Sequence, residues 1–444
     1  MDMKKGKVVT AGMISLAMLI GTPTLNVLAA ESAAVVQPQG ETLTRGEFFK
    51  MLDQAIDLPK AKGKNTYKDV PQGSELSEIV NKLQAAGALQ GSNDDMVRPD
   101  SELKASEAIA LISSVLGVPS AFVPSGSPLL DSKHGASNIA SWMKSVKVDY
   151  NWNDLDRTIT KQEAQALVKQ LLSTSSDARK LLEESWKAQQ QIKSFRVQSD
   201  ISFDGVENQD ALNKLPANER KEFEEMRKKG SSIKAEAVYA MPDSMYTKTD
   251  MGNIEIEQYV IGKDIYTKYG KVPEGFMDNR FADSPSGWVK VKDAFSLDMK
   301  AIIEQRIPLQ QERKVFYRST GEGQLVFQGR IDTLSELAPV MRDMQAIRGV
   351  IEGAEKNIST IYIQGTINLE PKTKLPIDSS IQIVISLNEN AADTKEKMLL
   401  KQMTITQNTK YSDYNATKKI DLPEAAKNAK ELPATGGNTL VSKQ

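Results

Sequence analysis

The sequence predicts an α+β chain in two parts, an all-helical module followed by a large antiparallel sheet with helical cover. Three observations predict it. Apolar residues recur every three or four positions from Thr44 to about Leu172, and every second position from Phe195 onward. A short phrase is written three times, LTRGEFF from Leu43, LKASEAI from Leu103 and ITKQEAQ from Ile159, with Glu47, Glu107 and Glu163 spaced 60 and 56 residues apart; such a repeat is one structural unit stacked on itself. Turn formers such as Asp250–Asn253, Ile261–Asp264 and Thr320–Gly323 separate many of the alternating segments, which favours a meander of hairpins over a parallel sheet.

In chain order, Lys4, Lys5 and Lys7 precede an apolar run from Val8 to Ile20 and a stretch ending at Ala29 and Ala30. This reads as a secretory signal peptide over residues 1–30, cleaved after Ala29 or Ala30. The run of about thirteen apolar residues is short of the roughly 20 that span a bilayer. Composition narrows the function classes. A net charge of −1 argues against nucleic-acid binding, and the absence of Cys excludes disulfides, Cys-zinc sites and thiol nucleophiles together.

The helical module is expected over residues 40–173. Its apolar stripes (Phe48, Met51, Leu52, Ala55, Ile56; Ile79, Val80, Leu83, Ala86; Ile109, Ile112, Leu116; Ile139, Trp142, Met143, Val146; Ala164, Leu167, Val168, Leu171) read as core. The repeat divides it into segments 43–59, 67–118 and 129–172, with a proline-interrupted loop before the last. The sheet part is expected over 178–430. A helix from Ala178 to Phe195 opens it, and roughly ten strands follow: Phe195–Phe203, Ile233–Tyr239, Ile254–Ile261, Ile265–Tyr269, Trp288–Val291, Val315–Tyr317, Leu325–Ile331, Ile361–Leu369, Ile377–Leu387 and Met398–Ile405. Three helical insertions interrupt them. The charged Asp210–Lys229 reads as a solvated hairpin, whereas Ala294–Gln305 and Asp332–Glu352 are the expected cover for the apolar sheet face. Residues 431–444 read as a disordered tail. It contains Leu432-Pro-Ala-Thr-Gly436, a sortase-like phrase without the hydrophobic segment and basic residues a sorting signal needs.

The second segment carries a resemblance. Tyr67-Lys-Asp69-Val70-Pro71, the helix Ser74–Leu89, Gly91, Asp95, Val97-Arg98-Pro99-Asp100 and Leu103–Glu107 together resemble the S-layer homology module, the wall-binding repeat of Gram-positive surface proteins. The first segment keeps only its second half, and the third lacks the Gly and Arg-Pro elements, so about two and a half repeats are present. The resemblance implies a three-pronged arrangement of three units, whose grooves bind a pyruvylated secondary cell wall polysaccharide. It also implies an exported protein held noncovalently at the cell wall and surface. The phrase's arginine is the implied cation, and its planar guanidinium can hold a ketal carboxylate bidentately where lysine offers a point charge. Carried over by position, Arg45 matches, Lys161 is a substitute, and Ala105 cannot serve; Lys104, one residue earlier, is the fallback. Asp69, Gly91, Arg98, Glu47, Glu107 and Glu163 are expected in structural roles, the glutamates at helix starts.

The sheet part resembles, by layout, exported domains built like periplasmic lipoprotein carriers, an open curved antiparallel sheet wrapped over helices. The layout is the opening helix to Phe195, the meander, Gly287-Trp288-Val-Lys-Val291 and the closing Lys419–Ala426. The resemblance implies a hydrophobic or lipid ligand between sheet and helices, with Leu337, Met341, Met344 and Ile347 as a pliable wall. No cofactor or metal is expected, and His134 is the only histidine. The leading expectation is therefore a secreted, wall-anchored surface protein displaying a ligand-binding sheet domain and having no enzyme activity. A structural surface-lattice protein and a carboxylate-dependent wall hydrolase are the alternatives.

Overall fold

The structure, a computed structural model, describes residues 41–432 apart from 62, 64–65, 90–93, 120–141, 143–147, 149–153, 229–230, 253, 271–283, 285, 294–312, 322, 334–357 and 388–398. The signal-peptide residues Ala29 and Ala30, Gly91, His134, the two covering helices and the expected wall Leu337, Met341, Met344 and Ile347 lie outside the described residues.

Each repeat of the phrase opens a helix: α1 (Arg45–Ala55), then, after α2 (Glu75–Ala85), α3 (Ala105–Leu116), and α4 (Lys161–Leu171). The start is chemically encoded. Thr44 accepts from the Glu47 amide while Glu47 accepts from the Thr44 amide, and Thr160 and Glu163 do the same, both capping boxes. At the second repeat Lys104 has no oxygen to offer, so only half of the box survives, the Lys104 amide to Glu107.

The residues just before these helices close a ring. Arg45 N donates to Ser101 O, Ala105 N to Arg157 O, and Lys161 N to Glu41 O, all at 3.0 Å. These are equivalent positions of the three repeats, so unit one pairs with two, two with three and three with one. At the hub Leu43, Leu103 and Ile159, one from each pairing segment, are wholly buried.

The rest of the chain is dominated by one twelve-stranded sheet, ordered β12-β6-β5-β4-β3-β2-β1-β11-β10-β9-β8-β7. The strands are β1 (Ser194–Glu207), β2 (Ser231–Ala240), β3 (Ser244–Asp250), β4 (Glu255–Ile261), β5 (Asp264–Tyr269), β6 (Trp288–Val291), β7 (Val315–Ser319), β8 (Gln324–Ile331), β9 (Ile358–Leu369), β10 (Pro376–Leu387), β11 (Leu400–Ser412) and β12 (Lys430–Leu432). Two meanders, β1–β6 and β7–β11, are joined where the first and eleventh strands pair.

Several expectations are corrected. The opening helix, α5 (Ser176–Gln189), stops short of Phe195, which already lies in β1. The strand Ser244–Asp250 went unread because Met245 and Tyr246 break the alternation. The charged insertion, expected as a hairpin, comprises α6 (Gln209–Leu212) and α7 (Ala217–Lys228), with Pro216 just before the second. After the short α8 (Glu424–Lys427), Lys430–Leu432 pairs in parallel with β6, so the sheet is mixed and the segment expected to be disordered begins inside a strand.

The two parts also share a core. Phe316, Tyr362 and Val384 of the sheet belong to the same buried cluster as Leu43, Phe48, Leu103, Ile109 and Leu167. The sheet caps the helices as well. Arg313 Nη2 donates to Asp53 O (2.7 Å) and Gln54 O (2.9 Å) at the end of α1, Arg330 Nη1 to Ala86 O (2.9 Å) after α2, and Gln328 Nε2 to Leu171 O (3.2 Å) at the end of α4. These donors meet carbonyls with no partner inside their helices, at the negative end of each helix dipole. The second repeat's helix, α3, ends at Gly117 (φ 71°), where a Cβ would come within 2.9 Å of Thr360 Oγ1 on β9. The C-terminal ends of α1, α3 and α4 therefore meet the sheet, and the helix starts face the other way.

Candidate functional site

Two places combine chemistry with geometry. The first is the ring of helix starts. Arg45 donates through Nε to Val97 O (2.8 Å) and through Nη1 to Glu107 of the next unit (2.7 Å), and its guanidinium lies 5.8 Å from the Phe49 ring. The side chain remains 19% exposed. Asp69 accepts from the amides of Val97 (3.1 Å) and Arg98 (2.6 Å), fixing the turn that presents the Val97 carbonyl; Arg98, at φ 51°, pairs with Asp94.

Around the ring each repeat's glutamate faces a cation, two of them from the same position of the neighbouring repeat and the third from within Glu163's own repeat. Glu107 takes Arg45, and Glu47 lies in the field of Lys161. The equivalent partner for Glu163 would be residue 105, which is Ala. Arg157 stands there instead, donating through Nη1 (2.9 Å) and Nη2 (2.7 Å) to the two carboxylate oxygens. Lys104 points at Asp156, 3.9 Å away. Reading the phrase alone missed Arg157, which lies two residues before Ile159, where the other repeats carry Glu41 and Ser101.

The carboxyls report the same geometry. The Thr44 amide holds Glu47 below the usual carboxylate range. Burial pushes Glu163 up, but the Arg157 guanidinium and the Thr160 amide and hydroxyl outweigh it, and it too is held low. Among the described residues every clearly shifted carboxyl is shifted down. No group of metal-ligating side chains is present among the described residues.

The second place is the sheet face opposite the helical module. Successive side chains of a strand alternate between faces, so register defines rows across the sheet. One row runs Gly329, Ile363, Ile383, Ile405, Phe203, and the next Phe327, Gly365, Ile381, Gln407, Ile201, Ile233. Ile201, Ile233, Phe327, Ile381, Ile383 and Ile405 are buried in one cluster, with Ala178, Leu181 and Leu182 of α5. The other face carries Arg196, Asp200, Lys234, Glu236 and Lys248 at its β1–β3 end and receives the helical module at its β7–β10 end. No helix among the described residues is long and apolar enough to cross a membrane.

No protein-family model matches the chain, and no curated protein matches it. Among solved structures the chain is similar to LprF from Mycobacterium bovis, at 14% identity over 57% of this chain and 99% of that one, with a TM-score of 0.26. It is similar to the Mycobacterium tuberculosis lipoprotein LppX at 10% identity over 55% and 97%, with a TM-score of 0.23. A LolA superfamily protein from Nitrosomonas europaea gives 9% identity over 56% and 95%, with a TM-score of 0.18. At these scores the likeness carries no argument about ligand or location, and the geometry above has to carry the functional reading.

Proposed function

We propose that the protein is an exported binding protein that carries a hydrophobic or lipid ligand against the apolar face of its twelve-stranded sheet, and that the helical module anchors it to an anionic wall polysaccharide. The observation that carries the first half is the isoleucine-rich face from β8 to β2, set on the side of the sheet away from the module. Burying an acyl chain against such a surface gains roughly 0.8 kcal/mol per methylene. The test is extraction of lipid from natively purified protein, followed by titration of the stripped protein with a fluorescent acyl probe. Saturable binding is expected; protein that yields no lipid and binds no probe overturns the reading.

The second half rests on the closed three-way ring and on the guanidinium of Arg45 at its rim. The resemblance to S-layer homology modules and the cell-surface location are part of this proposal, with pyruvylated polysaccharide as the ligand class. Lys161 is the second candidate contact, and Lys104, engaged with Asp156, the weakest. Because sheet residues cap three of the module's helices, the full chain is the material to test. It should sediment with purified walls, lose most of that retention in Arg45→Ala, and lose all of it when the secondary polysaccharide is removed. Retention that survives removal of the polysaccharide would sink the anchoring half.

A further inference from the structure

Among the described residues of the apolar sheet face, two buried polar atoms stand without a hydrogen-bond partner, Gln407 Oε1 and Ser379 Oγ. Gln407 on β11 is 2% exposed, flanked across the register by Ile381 of β10 and Ile201 of β1 and along its own strand by Ile405. Its Nε2 donates to Thr409 Oγ1 at 3.1 Å, and Thr409 in turn shares a 3.0 Å hydrogen bond with Ser199. The Gln407 Oε1 is buried and has no hydrogen-bond partner. With Ser379, also buried on the neighbouring strand, these residues make a small polar island in the middle of an otherwise aliphatic surface.

A buried amide oxygen left without a donor costs the full desolvation of that group. An all-apolar side chain at 407 would avoid the cost, and Ile occupies the equivalent register position on both neighbouring strands. A purely hydrocarbon ligand would leave the Gln407 acceptor unsatisfied. We infer that the ligand carried on this face is an acyl chain bearing a hydrogen-bond donor within its length, a hydroxyl or an amide N–H, which Gln407 Oε1 accepts. This rests on the reading of the face as a hydrophobic-ligand site and names the chemical class that the site selects.

The experiment uses stripped full-length protein, wild type and Gln407→Met, titrated with stearic acid, with hydroxystearic acid carrying a mid-chain hydroxyl, and with the corresponding oxostearic acid. A neutral hydrogen bond supports a preference of about two- to tenfold. Wild type should favour the hydroxy acid over stearic acid by about that factor, and Gln407→Met should abolish the preference while binding stearic acid at least as tightly. The variant should also melt at a higher temperature, because the orphaned acceptor is gone. Gln407→Leu serves the same comparison if the Met variant does not fold. If none of the three acids binds, the hydrophobic-ligand reading itself falls. If stearic acid binds but the hydroxyl preference is the same in wild type and variant, that reading stands and the role of Gln407 is overturned. A preference for the oxo acid overturns the assignment of a donor to the ligand.

Discussion

The helical ring and the sheet solve opposite problems with opposite residues. In the ring, three short segments meet at a wholly buried hub of Leu43, Leu103 and Ile159, and polar groups at the rim set the spacing between units. In the sheet, the apolar residues form a broad face rather than a point, and polar groups within it are few and placed singly or in a small island. The ring holds its glutamates in one geometry while drawing their cations from Arg45, Arg157 and Lys161 by different routes. What the repeats preserve is therefore the carboxylate and its cap rather than the identity of the partner. The sheet face lacks such redundancy, and Gln407 with Thr409, Ser199 and Ser379 forms a polar island within it.

The largest expected effect falls on the seam between the two regions. Arg330 is 3% exposed, donates to Ala86 O, and is paired with Asp332 at 2.7 Å; Lys314 also reaches Asp332 at 3.2 Å. Arg330→Ala leaves Asp332 without its nearer cation and a helix end uncapped, so a loss of about 3–5 kcal/mol is expected from denaturant unfolding. Two separate transitions in place of one would sharpen the comparison further, because the regions would then be coupled chiefly through this contact. An effect under about 1 kcal/mol would break the idea that the seam is a shared core.

Next comes the hub. Leu103→Ala removes a wholly buried side chain from the point where all three units meet, at an expected cost of about 2–5 kcal/mol. The melting temperature of the full chain should fall with it if ring and sheet unfold together. A ring that melts early while the sheet signal stays put would show the two regions to be separable.

The smallest effect is electrostatic. Glu47 and Glu163 have carboxyls held below their ordinary value of 4.5 in the folded chain. A depressed pKa contributes stability that is fully present above the unfolded value and is lost as pH falls through the folded one. The ring should therefore weaken on acidification below about pH 4.5, and Glu163→Gln should flatten that part of the stability–pH curve by up to about 1 kcal/mol, since the Arg157 pair is partly exposed. An unchanged acid limb would show that the Arg157 pair adds nothing to the ring.

How much of this was legible in the sequence depends on the range of each interaction. The capping boxes were readable because both partners lie within three residues, Thr44 with Glu47 and Thr160 with Glu163. Most strands were readable because alternation is a property of single segments. Arg157 was missed for a different reason: its role depends on Ala105, fifty-two positions earlier, being brought beside it by the ring. Asp69 is an intermediate case, since its place in the repeat was readable but its hydrogen bonds to the Val97 and Arg98 amides were not.

By itself, then, the sequence determined the two periodicities, the three helix starts, the charged character of the insertion and the apolar rows of most strands. All of these follow from propensity, capping and side-chain period acting over a few residues. Only the tertiary structure decided that β1 pairs with β11, that Arg313, Gln328 and Arg330 end the module's helices, and that Gln407 stands among isoleucines. Each of these joins positions far apart in the chain, 259 residues in the case of Arg313 and Gln54. Such contacts form because unpaired carbonyls, strand edges and apolar faces must find partners somewhere, and no local pattern marks which partner they find.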